Sequence, residues 1–93
     1  MAATPVATFI KDPDAILDYA LNWTKWLEGD TISTGVWTVD PGITIASQSV
    51  SGGIVTMFLQ GGTDATTYNA RCRITTTGGR TDDRTIQIQV KEK

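Results

Sequence analysis

Histidine is missing from this chain altogether, and cysteine occurs once, at Cys72. Without histidine, Ser-His-Asp and Cys-His catalysis and most zinc sites have nothing to build on. A single thiol closes no internal disulfide, so the fold is not stapled. Charged residues fill only 19% of the 93 positions and leucine is scarce, which excludes a coiled coil; 40% hydrophobic residues exclude a disordered tail. No stretch approaches the roughly 20 apolar residues of a membrane span. Met1 to Ile10 lacks a basic segment and a long apolar run, so no signal peptide is expected. The net charge of −2 argues against nucleic acid as a partner, because phosphate binding needs clustered Lys and Arg. That charge is uneven: residues 1–46 carry 2 basic and 6 acidic side chains, and residues 47–93 carry 6 basic and 4 acidic. A dipolar surface of this kind suits head-to-tail protein contacts.

What is abundant is β-branched. Sixteen Thr, nine Ile and six Val make a third of the chain, and nine Gly supply turns. The length fits one domain, residues 1–93, with residues 1–5 as a loose start. Val6–Ile10 reads as a short strand closed by Lys11-Asp12-Pro13-Asp14. From Ala15 to Trp23, Leu17, Tyr19, Leu21 and Trp23 alternate with Asp18, Ala20 and Asn22, the period of a half-buried strand. A helix there would set Asp18 beside Leu21 on one face. Trp23–Asp30 reads as an irregular turn, with one turn of 3₁₀ helix ending at Gly29. In Thr31–Val39, Ile32 and Trp37 fall on opposite parities, so one extra residue near Gly35 is expected to bring both inward. Asp40-Pro41-Gly42 is a turn, and Ile43 and Ile45 open a strand that fades into the polar run Ala46–Gly53. Ile54–Gln60 is a dense apolar strand stopped by Gly61-Gly62, and Thr66–Thr77 with Arg84–Val90 forms the last pair.

The register of that pair follows from its pattern. Tyr68, Ala70, Cys72 and Ile74 share one face, as do Ile86, Ile88 and Val90 on the partner. A two-residue Gly78-Gly79 turn would set Arg71 opposite Ile86 and bury the wrong side chains. An odd loop around Gly78–Arg80, or a bulge, instead sets Cys72 or Ile74 opposite Ile86. About seven short antiparallel strands, with turn signals every ten or so residues, give an all-β class. The expected architecture is an immunoglobulin-like β-sandwich, with an OB-like or other small β-barrel as the alternative.

Few residue groups suggest chemistry. Asp12, Asp14, Asp18, Asp82 and Asp83 supply oxygens suited to calcium, but without the glycine and terminal glutamate of an EF-hand; they read as turn-forming and solvated acids. A glycosidase needs two carboxylates flanking a cleft, for which the chain is short. Hence no enzyme, metal or cofactor is expected. Trp23 and Trp37 read as core, whereas Trp26, in the irregular segment, is open between core and an exposed platform for stacking on sugars. Tyr68 is placed for a tyrosine-corner hydrogen bond, and Cys72 reads as an inert buried thiol. If Val55, Met57 and Leu59 point inward, Ile54 and Phe58 form an outward apolar strip, the mark of a protein contact; in the opposite parity Met57 faces outward instead. Arg71 and Arg73, on the outward face of their strand, either pair with acids of a neighbouring subunit or with acids of their own chain.

Three segments also carry a resemblance: KDPDAILDYALNWTKWLEGDTI (Lys11 to Ile32), FLQGGT (Phe58 to Thr63) and YNARCRITTTGGRTDDRTI (Tyr68 to Ile86). Together they resemble small proteins of the structural-gene modules of tailed bacteriophages and prophages, with Ig-like sandwich folds. The resemblance implies a non-enzymatic virion component, made in the host cytoplasm: a capsid decoration, head–tail, tail or fibre-associated module. It brings no catalytic motif. Expected partners are other virion proteins and further copies of the chain, with no nucleic acid and no membrane. The alternative is a carbohydrate- or receptor-binding Ig-like module that meets a ligand on the host surface. Interface candidates are Ile54, Phe58, Arg71, Arg73 and Trp26. The stretch from Ile43 to Leu59 has no charged residue, so it is expected to contribute to a contact with itself or with another virion protein.

Overall fold

Burial along Thr66–Thr76 alternates with a period of two: Tyr68, Ala70, Cys72 and Ile74 are buried, while Asn69, Arg71 and Arg73 are exposed. The same rule builds the whole molecule. The structure, a computed structural model, describes residues 7–92. The expected loose start at residues 1–5, and Val6 in the first strand, lie outside the described residues. Seven strands follow in chain order: β1 (Ala7–Lys11), β2 (Leu17–Asn22), β3 (Ile32–Val39), β4 (Ile43–Ser51), β5 (Ile54–Gly61), β6 (Thr66–Thr76) and β7 (Thr81–Val90). One helical turn, α1 (Thr24–Leu27), stands between β2 and β3. The strands form two packed sheets, β1-β7-β6-β3 and β2-β5-β4. This is a sandwich and not a closed barrel.

Several expectations need correction. The sheets are not wholly antiparallel, because β1 runs parallel to β7, from Ala7 opposite Ile86 to Lys11 opposite Val90. A five-residue strand with no hairpin to a neighbour carries no signal of its direction. β4 does not fade at Ala46: it continues to Ser51, paired with β5 from Ser47–Phe58 to Ser51–Ile54. As an edge strand it is held by backbone pairing on one side, and its polar side chains stay in water. The extra residue of β3 falls at Ser33, between Ile32 and Thr34, two positions before Gly35. It still allows Trp37 to be buried while Ile32 packs against the core. α1 is α-helical rather than 3₁₀, and it ends with Glu28 and Gly29 both at positive φ.

The last hairpin has the expected parity. Three residues, Thr77 to Gly79, separate Thr76 from Arg80, and the Thr76 N–H donates to the Arg80 carbonyl at 2.8 Å. Ile74 and Ile86 both face the core. The residue opposite Ile86 is Ala70, however, with Arg84 opposite Cys72 and Asp82 opposite Ile74. The three-residue loop sits at Thr77–Gly79, one position earlier than Gly78–Arg80, which moves every cross-strand partner by two residues and keeps the inward parity.

The core is filled from both sheets by Trp23, Trp37, Val55, Met57, Leu59, Tyr68, Ile74, Ile86, Ile88 and Val90. Each full burial of an aliphatic side chain contributes about 1.5–3 kcal/mol. Tyr68 also closes a corner: its hydroxyl accepts the Thr63 N–H at 3.0 Å. Its ring lies over Gly42, where a Cβ would meet it at 3.0 Å; Gly42 also holds φ +105°. Lys11, read as part of a turn, is instead a core residue. Its side chain is fully buried, and Nζ donates to the carbonyls of Asp12 (2.9 Å) and Gly61 (2.8 Å). Desolvation lowers its pKa, opposed by the nearby Asp12 and Asp14.

Candidate functional site

The two sheets turn unlike faces outward. On the β2-β5-β4 sheet, antiparallel register sets Asp18–Phe58–Ser47, Ala20–Thr56–Ser49 and Asn22–Ile54–Ser51 in three successive rows. Val55, Met57 and Leu59 have no exposed surface, so the alternation of β5 sends Ile54 and Phe58 outward, 41% and 42% exposed. Around them stand small polar side chains and Ala20. Asp18 is the single charged residue in these three strands.

The β1-β7-β6-β3 face is richer in polar and charged groups, with Arg71, Arg73 and Asp83 among threonines and glutamines, and it also exposes Ile10 and Val36. Its rows include Val36–Arg73–Asp83 and Thr38–Arg71–Thr85. Arg73 meets the Asp83 carboxylate through Nε at 2.8 Å and through a second nitrogen at 3.0 Å. The Arg73 hydrogen bond lowers the Asp83 pKa, and Asp83 in turn raises that of Arg73. This pair is largely exposed, so solvent screens it and it adds little to stability. Arg73 is therefore paired within its own chain, one of the two readings its position allowed. Arg71 makes no hydrogen bond or ion pair among the described residues, and it projects from the face beside Val36, which is 51% exposed.

Trp26 lies apart from both faces. It is half-buried, edge-on to Trp23 at 5.5 Å and 77°, and the Arg80 guanidinium covers its ring at 4.3 Å. Trp23 is fully buried under Arg84 at 4.1 Å, and Trp37 is buried on β3. The three tryptophans thus make no coplanar exposed platform for a sugar. Arg80 also donates to the carbonyls of Trp26 (3.3 Å) and Leu27 (2.7 Å), capping α1, and to Asp30 at 3.3 Å. The Asp30–Arg80 fastening joins loops far apart in the chain, and no local motif announces it.

The acids do not converge. Asp83 serves Arg73, and Asp12 accepts the Asp14 N–H within its own turn. Among the described residues, no three Cys, Asp or Glu side chains are grouped to hold a metal ion. A cleft of about 450 Å³ opens between α1 and the β4–β5 turn, lined by Leu27, Asp30, Ile32 and Val50 among others. Its one acid, Asp30, is already engaged by Thr31, Thr77, Gly78 and Arg80, so a pair of catalytic carboxylates is not provided there. Burial pushes the Cys72 thiol up to about 11, although the Trp23 indole nearby favours the thiolate. Such a thiol is a poor nucleophile.

A two-sheet domain with unlike outer faces is a β-sandwich that offers two surfaces for contact. The family model described as podophage GP4 fiber-tail adaptor protein gp77 matches residues 11–89, and the chain belongs to that family. It is a structural component of the phage virion tail, and as an adaptor it contacts other virion proteins. The family narrows the virion positions open from the sequence to the tail. No curated protein matches the chain.

Proposed function

We propose that the domain joins two different virion proteins through its two opposite sheet faces. The β2-β5-β4 face, with Ile54 and Phe58, takes an apolar surface of one partner, and the β1-β7-β6-β3 face, with Arg71 and Val36, takes an acidic surface of the other. The carrying observation is the position of Ile54 and Phe58 on a face whose strands hold a single charge. Apolar groups exposed together on an otherwise small, uncharged surface lose least when desolvated.

The sandwich itself reads as immunoglobulin-like. Three features support this: the pairing of β7, β6 and β3 in one sheet against β2, β5 and β4 in the other, with β1 moved to the edge of β7; Trp37 of the third strand beside Cys72 of the sixth; and the Tyr68 corner. Rigid sandwich faces suit an adaptor, because neither partner has to order a loop on binding.

The test uses virions assembled with Phe58→Asp or Arg71→Glu in place of the wild-type chain, analysed by cross-linking mass spectrometry. Each folded variant is expected to lose cross-links to one partner and keep those to the other. Two folded variants that both retain the full wild-type set would refute the two-face reading.

A further inference from the structure

Four strand edges bound this sandwich: β1 and β3 flank the larger sheet, β2 and β4 the smaller. An unprotected edge offers unpaired N–H and C=O groups to another strand, and proteins blunt such edges with charge, proline, bulges or short length. Three of the four are blunted in more than one way. β1 has five residues and ends at the inward-pointing ammonium of Lys11. β2 has six, carries Asp18 and follows Asp12-Pro13-Asp14. β3 is broken by its bulge at Ser33, and its Trp37 N–H is taken by the Gln48 side-chain oxygen at 2.9 Å. β4 is blunted least, by a single bulge near its start. With nine residues it is the longest edge, and it contains neither charge nor proline. The uncharged stretch around it runs from Pro41 to Thr63. Its bulge at Ala46 leaves Ser47–Ser51 as a regular ladder centred on Ser49.

We propose that β4 pairs antiparallel with β4 of a second copy, about a two-fold axis near Ser49. A two-fold contact sets each group near the axis against its own mate. A charge there would repel itself, so the complement to such an axis is an uncharged strand, and β4 is that strand. Pairing satisfies the open backbone of both copies and joins two three-stranded sheets into one of six. It leaves Ile54 and Phe58 uncovered and makes their face continuous across both copies. The pairing does not depend on the two-face reading, since it uses the strand edge and not the sheet face.

Sedimentation of the purified protein over a range of concentrations tests the proposal. Wild type is expected to form a dimer. Ser49→Lys and Ser49→Glu each weaken the dimer by about tenfold or more, because like charges meet at the axis. An equimolar mixture of the two variants restores it, with Lys facing Glu. Phe58→Asp dimerises like wild type. A wild type that stays monomeric, charge variants that dimerise normally, or a dimer abolished by Phe58→Asp would each overturn the proposal. Should a Ser49 variant fail to fold, amide exchange of wild type decides. Residues 47–51 are expected to exchange more slowly as concentration rises, and concentration-independent exchange rejects the pairing. Loss of partner cross-links with the dimer intact concerns the sheet face alone, so the two readings fail separately.

Discussion

Asp30 and Arg80, fifty residues apart in sequence, meet where Arg80 Nε lies 3.3 Å from Asp30 Oδ2. Asp30 Oδ1 also accepts the backbone N–H groups of Thr31 and Gly78 and the Thr77 hydroxyl. One carboxylate therefore ties the loop after α1 to the β6–β7 hairpin. Gly78 has to be bare for this, since a Cβ there would lie 2.7 Å from Oδ2.

The pH dependence of stability follows from that knot. Hydrogen bonds from the Thr76 hydroxyl, the Thr31 N–H and the other donors hold the Asp30 pKa at about 2, against an ordinary 3.8. Folding thus favours the ionised form, and this contribution is complete above the unfolded pKa and is lost as pH falls from about 4 to about 2. The Asp83 pKa is lowered as well and adds in the same sense. Asp30→Asn is expected to be less stable than wild type at neutral pH and to lose less on acidification. Urea unfolding at several pH values reads both effects, and parallel pH profiles for the two proteins would contradict them.

Arg80→Ala removes a ring stack and the cap on two α1 carbonyls. Because the side chain is partly exposed, the expected loss is about 1 kcal/mol. Tryptophan emission should shift to longer wavelength as Trp26 gains water. Arg80→Lys keeps the charge but not the planar fork, so it restores only part of the stability.

Met57 and Phe58 are neighbours in sequence and opposites in burial. Met57→Ala is expected to cost about 2–5 kcal/mol in equilibrium unfolding. Phe58→Asp should cost clearly less than Met57→Ala, since its side chain is partly exposed, although the new carboxylate meets Asp18 across the ladder. Comparable losses in the two variants would mean that β5 lies in the other parity.

Tyr68→Phe deletes the acceptor of the Thr63 N–H at the β5–β6 corner. A loss of about 0.5–1.5 kcal/mol is expected in thermal or denaturant unfolding. On the same face of β6, buried Cys72 should resist alkylation in the native state and react fully once the chain unfolds.

Strand content and inward parity were legible wherever side chains alternate against a partner, as in β2, β6 and β7. The odd hairpin loop could be deduced because only one parity buries Ile74 and Ile86 together. Strand direction and strand extent were less accessible. Parallel β1 has no turn to announce it, and the second half of β4 is held by backbone pairing that its serines do not reveal. Of the interface candidates, Ile54 and Phe58 hung on the parity of β5, which apolar residues on both faces left open, and Trp26 depended on Arg80, a residue of a remote loop. Lys11 shows the same limit: nothing local distinguishes a lysine whose ammonium is satisfied by the carbonyl of Gly61.

The parallel pairing of β1 with β7 has a mechanical consequence. Tension entering before Ala7 and leaving after Val90 pulls these two neighbouring strands past one another along their length. Five residue pairs then share the load, because the slanted bonds of a parallel ladder lie across the line of pull and break together rather than in sequence. An antiparallel arrangement loaded from one end would open like a zip. In single-molecule pulling, attachment at the two ends of this pair should require a higher rupture force than attachment across the β6–β7 hairpin. A tail component that links a fibre to the particle is thereby stiffest along the direction in which its own first and last strands are drawn apart.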